Sequence, residues 1–186
     1  MIVNFIRHGK TSGNLKRSYI GSTDEILCET GIEEVKAKNY PLCDVLAVSP
    51  MKRCIQTAEI IYGNSDYIVC EDFRECDFGL FEGKTYEELK DNPEYIKWCE
   101  SPFGTVLPEG ENPDEFRKRC VREFVRLTNS IENTKTLSIV VHGGTIMSVM
   151  EAFEENHRSF YEYHIENACV FVTEFDGNSI RIADKI

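Results

Sequence analysis

No apolar run in the 186-residue chain approaches the roughly 20 residues that a membrane-crossing helix needs. The N-terminus opens directly into Ile2-Val3-Asn4-Phe5-Ile6, without a basic segment followed by an apolar signal region, so no secretory leader is expected. Positive charge is scarce: 21 Lys and Arg stand against 32 Asp and Glu, a formal charge of −11. That balance argues against nucleic acid or an anionic membrane as a partner. Paired cysteine motifs are missing too. The eight cysteines are scattered singly, and several, such as Cys54 and Cys120, fall where a helix would bury them. They read as reduced thiols of a cytoplasmic protein, with neither disulfides nor a bound metal expected. The chain has no linker, internal repeat or low-complexity stretch, and its length suits one domain over 1–186.

What the chain does contain is an alternation of strand and helix signals. Thr30 with Glu33 forms a capping-box pattern for a helix running towards Asn39. Met51 to Tyr62 reads as a helix with apolar positions Met51, Ile55, Ala58 and Ile61, stopped by Gly63-Asn64. Tyr67–Cys70 is a short strand, Thr85 with Glu88 a second capping box, and Pro93–Cys99 a further helix. Asn112-Pro113 opens a long helix whose apolar face is Phe116, Cys120, Phe124, Leu127 and Ile131. After the strand Leu137–Val141 comes a helix over Gly144–Phe153, then a hairpin of Ala168–Phe175 and Ile180–Ala183 turned at Asp176-Gly177-Asn178. This order predicts an α/β fold: a three-layer α/β/α sandwich, its central sheet mainly parallel with an antiparallel edge.

Two β-branched runs each end in histidine and glycine. The first is Ile2–Ile6 followed by Arg7-His8-Gly9-Lys10-Thr11, the second Leu137–Val141 followed by His142-Gly143-Gly144-Thr145. Open α/β sheets bind ligands at the carboxyl ends of their strands, so both imidazoles are expected at one end of one sheet. Glycine lets backbone approach a ligand closely, and arginine offers a planar fork suited to phosphate oxygens. A third run, Val45–Val48, leads into Ser49-Pro50-Met51-Lys52-Arg53-Cys54-Ile55-Gln56-Thr57-Ala58, which places Arg53 in the first turn of a helix. Phe73-Arg74-Glu75-Cys76-Asp77-Phe78-Gly79-Leu80-Phe81-Glu82-Gly83 adds carboxylates among aromatic residues. An acidic body that handles an anionic ester needs a local positive pocket, which Arg7 and Arg53, with Lys10, would supply.

In this order the four motifs resemble the histidine phosphatase superfamily, which includes the cofactor-dependent phosphoglycerate mutases, and the match covers nearly the whole chain. The resemblance implies the same sandwich fold and a phosphohistidine mechanism without cofactor or metal. His8 would be the nucleophile, its other ring nitrogen held by an acceptor such as a backbone carbonyl. Arg7 and Arg53 would clamp the phosphoryl oxygens, joined by a protonated His142 and the Gly143 amide. Asn14 matches the family's phosphate-binding asparagine, with a turn-forming role as the competing reading; Thr11 is expected to bond within the loop. Glu75 holds the position of the family's general acid, to be made weaker as an acid by burial beside Phe73 and Phe78. Asp77 is the second choice, and Glu82 reads as structural.

Position 10 carries Lys10 where the family more often has glutamate or glutamine, Phe81 stands where tryptophan is frequent, and Asn112 where serine is common. Only about 25 residues separate Gly83 from Pro108-Glu109-Gly110-Glu111. Mutases typically carry a longer insertion there, so the spacing favours a phosphatase. The size, Gly21-Ser22-Thr23-Asp24 and the Phe78–Thr85 segment look most like the α-ribazole phosphatase branch, which acts in cobalamin assembly, and put Gly21 among the substrate-binding candidates. The expected partner is a small phosphomonoester. Oligomeric state is not readable. The other readings are a phosphoglycerate mutase and a noncatalytic phosphate- or phosphoprotein-binding module. A metal-dependent hydrolase is disfavoured because His157 and His164 lack metal-ligand spacing and read as surface or core residues.

Overall fold

The computed structural model describes residues 1–100, 106–131 and 133–186. Among these, one sheet holds β1 (Ile2–Arg7), β2 (Val45–Val48), β3 (Ile68–Val69), β4 (Thr136–Val141), β5 (Val170–Phe175) and β6 (Ile180–Lys185), in the order β3-β2-β4-β1-β5-β6. The first four strands in that order run parallel, and β5 and β6 close the sheet as an antiparallel edge. The helices are α1 (Ser12–Lys16), α2 (Glu29–Lys36), α3 (Lys52–Tyr62), α4 (Tyr86–Leu89), α5 (Pro93–Glu100), α6 (Pro113–Ser130) and α7 (Gly143–Phe153). The mixed α/β architecture, a mostly parallel sheet with an antiparallel edge, is the one read from the chain.

The central strands are apolar on both faces because helices cover both. Val3 and Phe5 of β1, Ala47 of β2, and Leu137, Ile139 and Val141 of β4 pack with Phe124 and Leu127 of α6 and Ile146 and Val149 of α7. The alternate residues Ile6, Leu46, Val48 and Val140 pack with Cys54 and Ala58 of α3 on the opposite face. Phe124 sits 5.1 Å from the Phe175 ring and 5.6 Å from Phe5, joining helix, parallel sheet and antiparallel edge. A third cluster lies off the sheet: Phe81, Leu89, Tyr95, Leu107, Phe116 and Cys120. It carries the segment between α3 and α6 over the carboxyl ends of the parallel strands.

Element boundaries moved where tertiary contacts outbid local signals. The Thr30–Glu33 capping box does not form; α2 begins two residues earlier, with Cys28 as N-cap and no side-chain cap bond. The Cys28 N–H donates to the Lys10 carbonyl at 3.0 Å, and a Cβ on Gly31 would lie 2.1 Å from that same oxygen, so the contact with the His8 loop sets this helix start. Helix α3 turns Arg53, Cys54, Thr57 and Ala58 inward, while Ile55 and Ile61 are only half-buried. The predicted strand over Tyr67–Cys70 shrinks to Ile68–Val69. Thr85–Glu88 forms the expected box, and Asn112 caps α6 through its Oδ1, 2.8 Å from the Asp114 nitrogen. The final turn is held by Asp176 Oδ1, which accepts from the Asn178 and Ser179 amides, with Gly177 at φ 105°. All eight cysteines are unpaired, and Cys54 and Cys120 are buried. No described helix is long and apolar enough to cross a membrane.

Candidate active site

Strands β1 and β4 are neighbours, with Arg7 opposite Val141 in the parallel register. The next residue in each chain segment is therefore a histidine at the same sheet end. The His8 and His142 rings lie edge to face with centroids 5.1 Å apart. Strand β2 ends beside β4 and leads through Ser49 into α3, which brings Arg53 to the pair. All three side chains are buried, His8 at 4%, His142 at 0% and Arg53 at 1% exposure, so their charges act without much screening by water.

His8 Nδ1 lies 2.7 Å from the Gly9 carbonyl oxygen, which only accepts, so the proton is on Nδ1 and Nε2 keeps its lone pair. This is the backbone acceptor expected for a nucleophilic imidazole. Burial first, then the Arg53 and Arg7 charges, hold His8 well below the ordinary imidazole range. His142 is held well below it by the same burial and by Arg53. Its hydrogen bonds agree: Nδ1 accepts from Arg53 Nε–H at 3.2 Å, and Nε2 lies 2.8 Å from Ser49 Oγ. The protonated His142 expected from the sequence is thus corrected to a neutral ring whose Nδ1 braces Arg53. Two guanidinium groups and full burial make a third positive charge too costly there.

The Arg53 guanidinium also donates to the Thr23 carbonyl through Nη1 at 2.9 Å and to the Gly21 carbonyl through Nη2 at 3.0 Å. That leaves the second hydrogen on each Nη for a ligand. The Gly21–Thr23 loop is itself held by Glu82, whose carboxylate accepts from the amides of Gly21, Ser22 and Phe78 and from the Thr23 hydroxyl. Glu82 is structural, as read, but its partners were not legible. Gly21 is a correction: both its backbone polar groups are spent on Glu82 and Arg53, so it holds the clamp rather than a substrate. Its Cβ would lie 1.7 Å from the Cys76 carbonyl oxygen, which only glycine avoids.

Arg7 donates through Nη1 to the Ile165 carbonyl at 2.6 Å and approaches His164 Nε2 at 3.4 Å, while its buried Nε has no protein partner. The Gly143 N–H, at the start of α7, has no acceptor among the described residues. An unpartnered buried guanidinium donor beside an open helix N-terminus is suited to an anion. Asn14 serves in two ways. Its Oδ1 accepts from the Thr11 N–H and Oγ in a capping box of α1, and its Nδ2 has no acceptor among the described residues. The loop-bracing contacts are therefore present, and Nδ2 is left facing no protein acceptor among the described residues. Thr11 bonds within the loop, as expected. Lys10 pairs with Glu34 at 2.6 Å, and like His8, Arg53 and His142 it is not among the residues that line the cavity described below.

Glu75 meets this group from the other side. Its Oε2 accepts from the Gly144 N–H at 3.1 Å and Oε1 from the Cys76 N–H at 3.0 Å. A Cβ on Gly144 would stand 2.3 Å from Oε1, so the glycine at that position makes room for the carboxylate. Arg119 anchors the backbone behind it. The guanidinium is bidentate with Glu111 and donates to the carbonyls of Asp72, Arg74 and Glu75. Asp77, the second-choice acid, accepts from the Ser22 hydroxyl and the Gly79 amide and serves the loop.

A cavity of about 250 Å³ opens next to these groups. Arg7, Asn14, Glu75, Gly143 and Gly144 line its polar end, and Tyr19, Ile20, Phe78, Trp98, Leu107, Phe116, Met147, Phe160 and Tyr161 its walls. His164, read as a surface or core residue, lines it as well. Asn167, which the sequence reading passed over, donates from Nδ2 to the His8 carbonyl at 3.0 Å, and the Ala168 N–H reaches the same oxygen at 3.2 Å. Ala168 does so at φ 58°, a left-handed conformation that costs an L-residue about 1–2 kcal/mol and here fixes the histidine loop. No local signal marks Asn167, whose partner is the His8 carbonyl, or the Arg119 contacts with the carbonyls of Asp72, Arg74 and Glu75, because those partners lie dozens of residues away; Ser49 stands in the quoted motif, but its contact with His142 is equally remote. Among the described residues no group of three or more His, Cys, Asp or Glu is arranged to hold a metal ion.

The sequence profile of the histidine phosphatase superfamily (branch 1) matches residues 3–185. An uncharacterized phosphatase, PhoE, of Bacillus subtilis is 30% identical over 98% of this chain and 92% of its own. An adenosylcobalamin/alpha-ribazole phosphatase of Salmonella typhimurium is 25% identical over 88% of this chain and 85% of its own. Among solved structures, the alpha-ribazole phosphatase of Shigella flexneri superposes with a TM-score of 0.83 at 22% identity, covering 98% of this chain and 94% of that one. The phosphoserine phosphatase of Entamoeba histolytica, solved with 3-phosphoglyceric acid, gives 0.81 at 26% identity over 99% and 95%. Two histidines at adjacent parallel strand ends, with the profile match running almost from end to end, lead to one conclusion: the chain belongs to branch 1 of the histidine phosphatase superfamily.

Proposed function

We propose that the protein is a phosphomonoesterase that hydrolyses a small phosphorylated metabolite in two displacements through a phosphohistidine on His8. The observation that carries this reading is the His8 imidazole, its proton held on Nδ1 by the Gly9 carbonyl and its charged form disfavoured by burial and then by Arg53 and Arg7. A ring so held is a nucleophile at neutral pH. In the first step Nε2 bonds to phosphorus as the ester P–O bond breaks, and the departing oxygen takes a proton from Glu75. In the second, water attacks the phosphohistidine, Glu75 accepts its proton, the P–N bond breaks and phosphate leaves. Arg7 Nε, the free Nη hydrogens of Arg53, Asn14 Nδ2 and the Gly143 amide supply the donors for the phosphoryl oxygens. His142 holds Arg53 through Nδ1 and carries only its Nε2 proton in this scheme. Its role is positional in the resting protein.

Relatives named for α-ribazole phosphate and phosphoserine supply two candidate esters, and α-ribazole 5'-phosphate, with its aromatic base, suits the cavity walls better. We take 1–186 as one catalytic domain of a cytoplasmic protein, in keeping with two core clusters on the faces of one sheet, a third beside it, and eight unpaired cysteines. The test is a hydrolysis panel of α-ribazole 5'-phosphate, phosphoserine, phosphoglycerates, sugar phosphates and an aryl phosphate, run with chelator present. Acid quench during turnover should trap an acid-labile, base-stable phosphoenzyme that His8→Ala cannot form. Label on another residue, or near-normal activity of the alanine variant, removes His8 as nucleophile.

A further inference from the structure

The walls of the cavity, more than its floor, say what leaves with the proton. We infer that this site takes esters of uncharged aromatic or bulky apolar alcohols and discriminates against leaving groups that carry a carboxylate. The inference rests on the phosphomonoesterase reading and deepens it. Beyond the phosphate end the lining is dominated by Tyr19, Phe78, Trp98, Leu107, Phe116 and Tyr161. Their rings are mutually oriented, with Tyr19 5.2 Å from Phe78 and edge-on to Trp98 at 5.8 Å, so they form a preset aromatic wall. Burying a ring against such a wall gains area and ring–ring contact together.

Carboxylate recognition needs a cation whose charge is not already balanced, and the cations here are matched to other groups. Arg7 belongs to the phosphate end. Arg117 is paired with both Asp114 and Glu151. His164 is lowered below the ordinary imidazole range, first by burial and then by the Arg7 charge, so it meets a ligand neutral. A carboxylate leaving water for this lining therefore loses hydration and, with Trp98 Nε1–H only a neutral donor, meets no unpaired cation among the described residues. Size agrees. A void on the order of 150 Å³ accepts a benzene ring, so about 250 Å³ holds one ring system beside the phosphate.

The test compares alkyl esters whose alkoxides are of similar basicity, so that leaving-group chemistry does not decide the result: benzyl phosphate, ethyl phosphate, glycerol phosphate and phosphoserine. Benzyl phosphate should exceed ethyl phosphate in kcat/KM by about tenfold or more, and phosphoserine by a larger factor. Trp98→Ala and, separately, Tyr161→Ala should cut the benzyl-to-ethyl ratio of kcat/KM several-fold. Tyr161 is half exposed, so its variant keeps the core intact if Trp98→Ala unfolds. Calorimetry with benzylphosphonate and phosphonoacetate reads the same preference without turnover. Phosphoserine equal to benzyl phosphate, or both variants slowing benzyl and ethyl esters alike, overturns the inference while leaving the phosphatase intact. Absence of turnover on every ester and of any phosphoenzyme overturns the phosphatase reading; the phosphonate affinities then still decide the ligand class, and equal or reversed affinities sink it.

Discussion

At the scale of single residues, the site works by keeping two imidazoles uncharged beside two guanidinium groups. That has a consequence for stability. Unfolded histidine takes up a proton below about pH 6.5, whereas folded His8 and His142 resist it, being held well below that value. The unfolded state then binds more protons, and stability is lost as pH falls from about 6.5 towards the folded values. The slope is up to about 1.4 kcal/mol per pH unit for each imidazole. Thermal melts between pH 7.5 and 5 should show a shallower decline for His8→Ala than for wild type; identical slopes would mean that His8 is protonated in the fold.

Glu75 allows a separate test on the same scale. Glu75→Gln keeps size and its acceptance from the Gly144 amide but cannot deliver a proton. Alkyl phosphates should lose phosphoenzyme formation, while an activated aryl phosphate should still give a rapid burst followed by slow dephosphorylation. Stopped-flow traces showing equal slowing of the burst for both ester types would send the acid role elsewhere.

Between residue and fold, whole segments are placed by single ionic groups. The 3-10 turns and loop from Glu71 to Phe81 have little regular structure of their own, and Arg119 of α6 holds three of their carbonyls while paired with Glu111. Arg119→Met leaves Glu111 and those carbonyls short of a donor and should destabilise by about 3 kcal/mol. Arg119→Lys should recover little, because an ammonium cannot reproduce the fork. Chemical denaturation gives the first number. The second readout is kcat on an alkyl ester, which should fall more than on an activated aryl ester as Glu75 loses its place. A uniform loss across both would make Arg119 a stability residue only.

For the molecule as a whole, a formal charge of −11 surrounds a phosphate site. Lys10, paired with Glu34, does not relieve it at the cavity. At long range a dianionic ester is repelled, and salt screens that repulsion within a Debye length of about 8–10 Å near physiological ionic strength. Raising ionic strength from about 10 to about 150 mM with a non-binding anion should therefore increase kcat/KM for a dianionic ester, through KM. A decrease would show that the field of Arg7 and Arg53 reaches the mouth and outweighs the body.

Much of this was legible in the chain because it depends on neighbours in sequence. Strand and helix periodicity, the Asn112 cap and the histidine at the end of each β-branched run are local, and a parallel sheet places strand ends together by necessity. The Thr30–Glu33 box failed because Gly31 packs against the Lys10 backbone, a contact between distant segments that outweighs a cap worth about 1 kcal/mol. The neutral state of His142 was equally out of reach, since it follows from Arg53 lying 3.2 Å away in a site closed to water. Residue types set which groups could serve as nucleophile, clamp and acid. Their protonation, the turning of Lys10 towards Glu34, the spending of Gly21 on Arg53 and Glu82 and the aromatic wall of the cavity were decided only when the chain folded, because each is a sum of burial and charge over residues that sequence holds apart.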